Sequence, residues 1–440
     1  MPAVTKMREF ASNAASACIS SKRIARQHLR QLYARANRMR CNARIVAVTG
    51  SSAKTTTVSL LSHILSGHSQ VLTQVFDNGL RDAAKTLRRM TSDDDYVVME
   101  AGTAGIGQLQ ETARFIQPDV AIVTLVALEH FGAFRTLDAV AKEKSELVRA
   151  LPPAGLAILN ADNPLALAMS EATRARKVTF GIDNGDYRVH DAEISSRGTL
   201  TFNLATQDLI VRLETQLVGM HHWLPVAAAA TAALELGCPP RIVAERVRTF
   251  EAVFGRMSVH HIDNGPTFIL DTAKSPYHSI HLPLDTLKSI SAPRKRFILG
   301  QISDYQGSSA PPYRDTFRAA KMIVDEVVLV GRFAKLARAT EADIAEGHFR
   351  SFPNIETLAE YIRATAIAGE VILLKSSQGM HLERIFLNFL KPVRCWPDDC
   401  GVRLTCKDCG HFHSAFADHP LKKPPMHVHC YRRSSDGILQ

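Results

Sequence analysis

Three short runs of uninterrupted apolar residues, RIVAVTG, YVVMEAG (Tyr96 to Gly102) and DVAIVTL (Asp119 to Leu125), are separated by stretches with helical spacing of their apolar positions. Runs without polar alternation suit strands buried on both faces, so they predict a mostly parallel sheet. From Val178 to Leu204, VTFGIDNGDYRVHDAEISSRGTLTFNL alternates instead and is punctuated by Asn-Gly and Arg-Gly, which predicts antiparallel hairpins after the sheet. An alanine-rich helix, LPVAAAATAALELG, leads to FGRM, and a second α/β rhythm begins. There FILDTAK, KRFILG, EVVLVG and EVILLKS predict four strands with helices between them. The expected fold class is α/β. A phosphate-loop central domain with a mostly parallel sheet spans 44–254 and a second, Rossmann-like α/β domain spans 255–391. A basic helical arm (1–43) precedes them, and a small Cys/His-rich, zinc-binding-like module (392–440) follows.

Charge changes the picture mainly at the start of the chain. The 440 residues carry a formal net charge of +10, and residues 1–44 supply +9 of it, with ten Lys and Arg against Glu9 alone. This arm has the composition of a targeting segment or a membrane-surface helix. A solvated helix packing a few apolar residues on the next domain accounts for the same pattern. Nucleic acid is not an expected partner, because the arm lacks interleaved aromatics beyond Tyr33. No apolar run reaches the ~18 residues of a membrane span. Cys18, Cys41 and Cys238 are isolated and the other five cysteines crowd into the last 46 residues, which suits a reducing, cytoplasmic compartment. Peripheral membrane contact through the arm, or a protein partner held by the arm or the tail, fits that location.

The stretch VAVTGSSAKTTT joins a strand to a helix through Gly50, Ser51, Ser52, Ala53, Lys54, Thr55 and Thr56. In such a turn backbone N–H groups and the helix N-terminus cradle phosphates, Lys54 reaches the terminal phosphates and the Thr55 hydroxyl suits Mg²⁺. Ala53 stands where a second glycine is expected. With negative φ in the first helical turn it costs little; with positive φ it carries strain on the order of 1 kcal/mol or more.

Downstream, Glu100 ends a strand in MEAGTAGIG, His130 follows another in VALEHFGAF, Lys144 lies on a helix in AVAKEKSEL, and LAILNADNP follows. In this order the segments resemble the Mur ligase family, the ATP-dependent amide-forming enzymes of peptidoglycan assembly, and within it the MurF-like branch. The resemblance covers roughly Arg44 to Leu390. It implies that a carboxylate attacks the γ-phosphate of ATP and that an amine then displaces phosphate from the acyl phosphate. It further implies a catalytic set of Lys54, Glu100, His130 and Lys144, with Mg²⁺ on Thr55, Glu100 and His130. Lys144 would be carbamylated, which turns its +1 into −1 and makes it a metal ligand. Nucleotide contacts fall to the loop, to His221 of GMHHWLP, to Arg256 of FGRM and to Asp271 of LDTAKSP. Asn78, Lys375, Ser377 and Glu383 fall on the substrate side.

The chain also departs from the family pattern. The domain that recognises a UDP-sugar is not expected in the roughly 43 residues before the loop, which points to an acid other than the usual UDP-muramoyl peptide. His222 and Pro225 replace two asparagines that help seat adenine, and Pro225 removes a backbone donor. Gln378 stands where the family has arginine. In the tail, Cys395, Cys400, Cys406 and Cys409 offer four thiolates with one C-x-x-C pair, a pattern for structural zinc; His411, His413, His427, His429 and Cys430 compete as ligands. The functional expectation is an ATP-dependent carboxylate–amine ligase. A variant drawing ammonia from a glutaminase partner and a catalytically weakened nucleotide-binding scaffold are the alternatives.

Overall fold

The computed structural model describes residues 27–76, 78–129 and 132–419, together with the backbone of 430–431. In the central domain β1 (Arg44–Thr49), β2 (Val71–Gln74), β3 (Tyr96–Glu100), β4 (Val120–Val123), β5 (Leu156–Asn160) and β6 (Arg176–Gly181) run parallel in the order 2-3-1-4-5-6. β7 (Tyr187–Ile194), β8 (Thr199–Ala205) and β9 (Ile210–Val218) extend the β6 edge, and Cys430–Tyr431 pairs antiparallel with β2. The alternating region therefore divides. Val178 to Gly181 lies in β6, parallel to β5, and only β7 to β9 form the antiparallel ladder. Alternation reports one buried face and is blind to the direction of the neighbouring strand, so the sequence pattern alone merged the two.

Helix α1 (Lys54–Leu65) follows the phosphate loop, and α2 (Leu80–Arg89), α3 (Gln108–Ile116) and α4 (Leu137–Arg149) connect the parallel strands. The alanine-rich segment forms α5 (Trp223–Glu235), followed by α6 (Pro240–Thr249). Ala227, Ala228, Ala229 and Ala230 are fully buried in the same core as Val58, Leu61 and Ile64 of α1. A run of methyl side chains lets two helix backbones approach closely, which fixes α1 and hence the direction of its N-terminus. Register places Val48 of β1 opposite Glu100 of β3 and Thr49 opposite Val123 of β4. The carboxyl ends of the central strands thus meet at one crevice, the usual place for a ligand in such a sheet.

The second domain holds β10 (Ser258–His261), β11 (Thr267–Asp271), β12 (Lys295–Leu299), β13 (Glu326–Val330), β14 (Phe349–Phe352) and β15 (Val371–Lys375) in the order 10-11-15-12-13-14, with β10 alone antiparallel. Helices α7 (His281–Ser289), α8 (Ala310–Ala320), α9 (Ile355–Thr365) and α10 (Glu383–Leu390) cover it. The tail, expected as a small Cys/His-rich module, packs over 392–419 on this domain. Val393 and Cys406 are buried in a core with Phe268, Leu374 and Phe386, and Trp396 and Phe412 pack against it. Apolar residues scattered at no fixed period gave no sign of this packing.

Residues 1–26 of the arm lie outside the described residues, and 27–40 form a helix on the central domain. There Ala34 is buried, Asn37 Nδ2 donates to Leu87 O and Met90 O at 2.7 Å each, and Arg38 pairs with Asp119 at 2.9 Å. Among the described residues no helix is long and apolar enough to cross a membrane.

Arg296, wholly buried on β12, is held by Glu370 Oε1 at 2.6 Å, and Arg294 takes the other oxygen of Glu370 at 2.5 Å. Glu326 Oε2, at 3.6 Å, is the carboxylate left near Arg296 when Glu370 is removed, and a buried charge stranded by loss of its partner costs ~3–5 kcal/mol. Glu370→Ala should lower the stability of the second domain by about 3 kcal/mol or more, read as a fall in the denaturant midpoint at unchanged slope. A shift below about 1 kcal/mol would show that Glu370 does not hold Arg296 in solution.

Candidate active site at the phosphate loop

Between β1 and α1 the loop is tied down by the strand beside it. Ser51 N donates to Leu125 O at 2.7 Å, Ser51 Oγ to Ala127 O at 2.7 Å, and Thr124 Oγ1 to Ser52 O at 2.7 Å. Gly50 has φ 148°, and a Cβ there would stand 2.0 Å from Thr124 Oγ1, so glycine is required. Ser51 therefore spends its hydroxyl on the scaffold. Ala53 is the N-cap of α1 with φ 68° and ψ −8°. Of the two conformations open to it, the left-handed one is realised, and the methyl group carries the strain.

The loop opens on a cavity of about 390 Å³ walled by both domains. From the central domain come Ser51 to Thr56, Asn78, Glu100 and His221; from the second come Arg256, Asp271, Lys274 and Lys375. Lys54 Nζ folds back on Gly50 O. Arg256 Nη2 donates to Thr55 Oγ1 at 3.4 Å, while its Nε is buried with no partner. Glu100 accepts from Phe76 N at 2.9 Å. Asn78 packs on Gly102, where a Cβ would come within 2.3 Å of its Nδ2. Lys375 Nζ bridges Asp271 Oδ2 at 2.5 Å and Lys274 O at 2.7 Å.

Of the sequence-predicted residues, His130 lies outside the described residues. Lys144 is fully buried on α4, its Nζ 2.5 Å from Glu129 Oε1. Burial pulls the Lys144 ammonium down to about 8 against the attraction of Glu129. Burial alone would raise the Glu129 carboxyl, yet Lys54 and Lys144 together hold it at about 2. Ser377 is not on this cavity. Its Oγ donates to Gln301 Oε1 at 3.1 Å, beside a second cleft of about 450 Å³ lined by Gln301 to Tyr305, Ala104 and Gly132. Glu383 is not brought to either cleft; it is buried against His381 and the tail.

Two residues escaped the sequence reading. Glu129 sits beside His130 in LEHFG, and only its tertiary approach to Lys144 marks it. Lys274, within the segment DTAKSP, lines the cavity, and the nearby Lys54 charge, with burial second, lowers its ammonium to about 8. The available signal was a lysine three residues beyond the acidic end of a predicted strand, in DTAKSP.

The adenine-side changes read differently in three dimensions. His222 Nδ1 lies 2.8 Å from Val218 O, and burial holds both His221 and His222 well toward neutral. Pro225 falls in the first turn of α5, where a backbone N–H has no intrahelical acceptor, so the expected loss of a donor costs the helix nothing.

Comparison with known proteins agrees with this architecture. The family described as Mur ligase middle domain matches residues 48–233, and the Mur ligase, glutamate ligase domain matches 255–378. UDP-N-acetylmuramoyl-tripeptide--D-alanyl-D-alanine ligase of Mycobacterium bovis is 27% identical over 364 residues, covering 77% of this chain and 71% of that protein. The Escherichia coli protein of the same name is also 27% identical, over 79% and 77% of the two chains. MurF from Acinetobacter baumannii superposes with a TM-score of 0.75 at 24% identity, over 84% of this chain and 80% of that one. MurF ligase from Thermotoga maritima, solved in complex with ADP, gives 0.70 at 19% identity, over 83% and 84%. With both domains matched in order and the fold shared along most of its length, the chain belongs to the Mur ligase family and is MurF-like.

Proposed function

We propose that this Mur ligase family enzyme, an ATP-dependent ligase, joins a small-molecule or peptide carboxylate to an amine through an acyl phosphate, on an acid other than the usual UDP-muramoyl peptide. The observation that carries the reaction is the meeting of Lys54, Arg256 and Lys274 on one cavity at the N-terminus of α1. Two like charges 4 Å apart repel by ~4 kcal/mol at an effective dielectric of 20, and a polyphosphate turns that repulsion into attraction. A carboxylate oxygen attacks the γ-phosphorus and ADP leaves. The amine nitrogen then attacks the acyl carbon, phosphate leaves, and the nitrogen gives up a proton.

Lys54 and the loop N–H groups face the β- and γ-phosphates, while Arg256 and Lys274 offset charge on the phosphoryl group in transfer. Thr55 and Glu100 are hard oxygen donors on the cavity wall and would hold Mg²⁺, which when bound neutralises phosphate oxygens. His221 and Asp271 take the base and ribose side. Lys144, with its ammonium lowered to about 8, has free amine available to capture CO₂, losing a proton to become a carbamate. That carbamate and Glu129 would form a pair of anionic oxygen groups suited to a divalent cation. The altered acid is supported by Gln378, neutral where the family offers arginine, whose Nε2 donates to Arg403 O at 2.5 Å. This edge presents less positive charge to a polyanionic substrate.

Screening acids and amines for amine-dependent ADP release, with mass spectrometry of the product, tests the reading directly. Lys54→Ala should remove that release, a loss on the order of 10³-fold or more; activity that survives takes the loop out of the mechanism. Ala53→Gly should relieve ~1 kcal/mol of backbone strain and tighten ADP binding several-fold by calorimetry, and weaker binding would show that the methyl group contributes a contact. Lys144→Ala should be inactive and partly restored by formate or acetate, and full activity without them would eliminate the carbamate.

A further inference from the structure

Four of the five cysteines of the tail meet on the second domain, around a void that shares no residue with the phosphate-loop cavity. Cys395, Cys400, Cys406 and Cys409, with His381 and His419, line a small void of about 10 Å³. That is room for about one water-sized sphere. Cys406 and Cys409 stand at the two ends of a single helical turn capped by Thr405. His381 and Glu383 belong to the second domain itself. The His381 ring is held between Glu383 and Cys400, with Nδ1 3.2 Å from Glu383 Oε1 and Nε2 3.1 Å from Cys400 Sγ. Glu383 Oε1 also accepts from Cys406 N at 2.9 Å, and Arg384 Nε donates to Cys406 Sγ at 3.2 Å. Among the described residues, the group of three metal-type donors whose atoms lie within 4.8 Å of one another is His381, Glu383 and Cys406, so the sulfurs of Cys395, Cys400 and Cys409 would close in on a bound ion.

Packing alone does not account for this arrangement. A core thiol needs only apolar neighbours. Here a buried carboxylate orients an imidazole so that its other nitrogen meets sulfur, and a buried guanidinium donates to a second sulfur. Hydrogen bonds of this kind support metal ligands from outside.

We propose that Cys395, Cys400, Cys406 and Cys409 bind one zinc-class divalent cation as four thiolates, with His381 and Arg384 donating to the sulfurs. Four thiolates around such an ion leave a net charge of −2, and the N–H groups of His381 and Arg384 are the ones that face it. The site has a mechanical consequence. Arg403 lies in the loop between Cys400 and Cys406, and its carbonyl holds Gln378, three residues beyond Lys375. Closing that loop on a metal therefore fixes the segment that carries Lys375, Ser377 and Gln378.

The test uses the full chain, expressed with zinc and purified under reducing conditions without chelator. Elemental analysis should find about one zinc per chain, and Cys406→Ser with Cys409→Ser should retain less than about a tenth of that. Wild-type protein with less than about half an equivalent overturns the proposal, as does zinc retained by the double variant. Because that variant can fail by misfolding, cobalt substitution of the wild type decides independently. Intense thiolate-to-cobalt charge-transfer bands with tetrahedral d–d absorption are expected. Their absence, or a disulfide among these cysteines found by mass spectrometry, overturns the site. Neither readout depends on ligase activity, so this proposal can fail while the proposed reaction stands.

Discussion

Burying several cations around one helix N-terminus is the constraint that orders this structure. Lys54 and Lys144 come from the central domain, and Arg256, Lys274 and Lys375 from the second. Each domain supplies a carboxylate for its deepest lysine: Glu129 lies 2.5 Å from Lys144, and Asp271 lies 2.5 Å from Lys375. Lys54, Arg256 and Lys274 then meet across the gap between the domains, and Lys54 is the first cause of the lowered Lys274 ammonium. Without a counter-ion that meeting opposes closure of the two domains, and with a polyphosphate between them it favours closure. The same charges that would bind nucleotide thus set how tightly the halves of the enzyme come together.

Much of the framework was legible because its strands are buried on both faces. RIVAVTG, DVAIVTL and EVILLKS stand out as continuous apolar runs, and they became β1, β4 and β15. The edge strands were not legible. β10 (SVHH) and β14 (FRSF) are short and polar, because one side of each is left to solvent and their identity comes from the partner strand. The site divides in the same way. Gly50 to Thr56 and Glu100 are placed by local chain geometry, the turn and the strand end, so sequence pattern finds them. Glu129 and Lys274 acquire meaning only from what approaches them through the fold, and no spacing rule records that approach.

The substitutions around the nucleotide side compensate one another more than their residue types suggest. Gly219 remains indispensable, with φ 98° and a Cβ that would stand 2.2 Å from Thr286 Oγ1. It turns the chain so that His222 reaches Val218 O and α5 begins at Trp223. Pro225 then occupies a turn that does not need its N–H. Trp223, Leu224, Pro225, Met257 and Pro283 give this end of the cavity an apolar wall. An apolar wall of this kind suits contact with the faces of a flat ring, which depends on buried area more than on directional hydrogen bonds. Ala53 is different in kind. Its strain is local, nothing nearby relieves it, and it falls directly on the N-cap of α1.

Gln378 connects this cavity to the tail. An arginine there would send its charge toward the cleft, whereas the shorter, neutral glutamine is satisfied by a backbone carbonyl of the Cys400–Cys406 loop. The neutral side chain and the structured tail are thus joined by one hydrogen bond. The tail takes up the hydrogen-bonding capacity of a residue adjacent to Ser377, and in return that residue anchors the tail. A loop of second-domain backbone already tied to Asp271 and Gln301 gains a further hold from the tail. Precision in that loop matters because Lys375, through Asp271 and Lys274 O, determines where the Lys274 ammonium stands relative to Lys54.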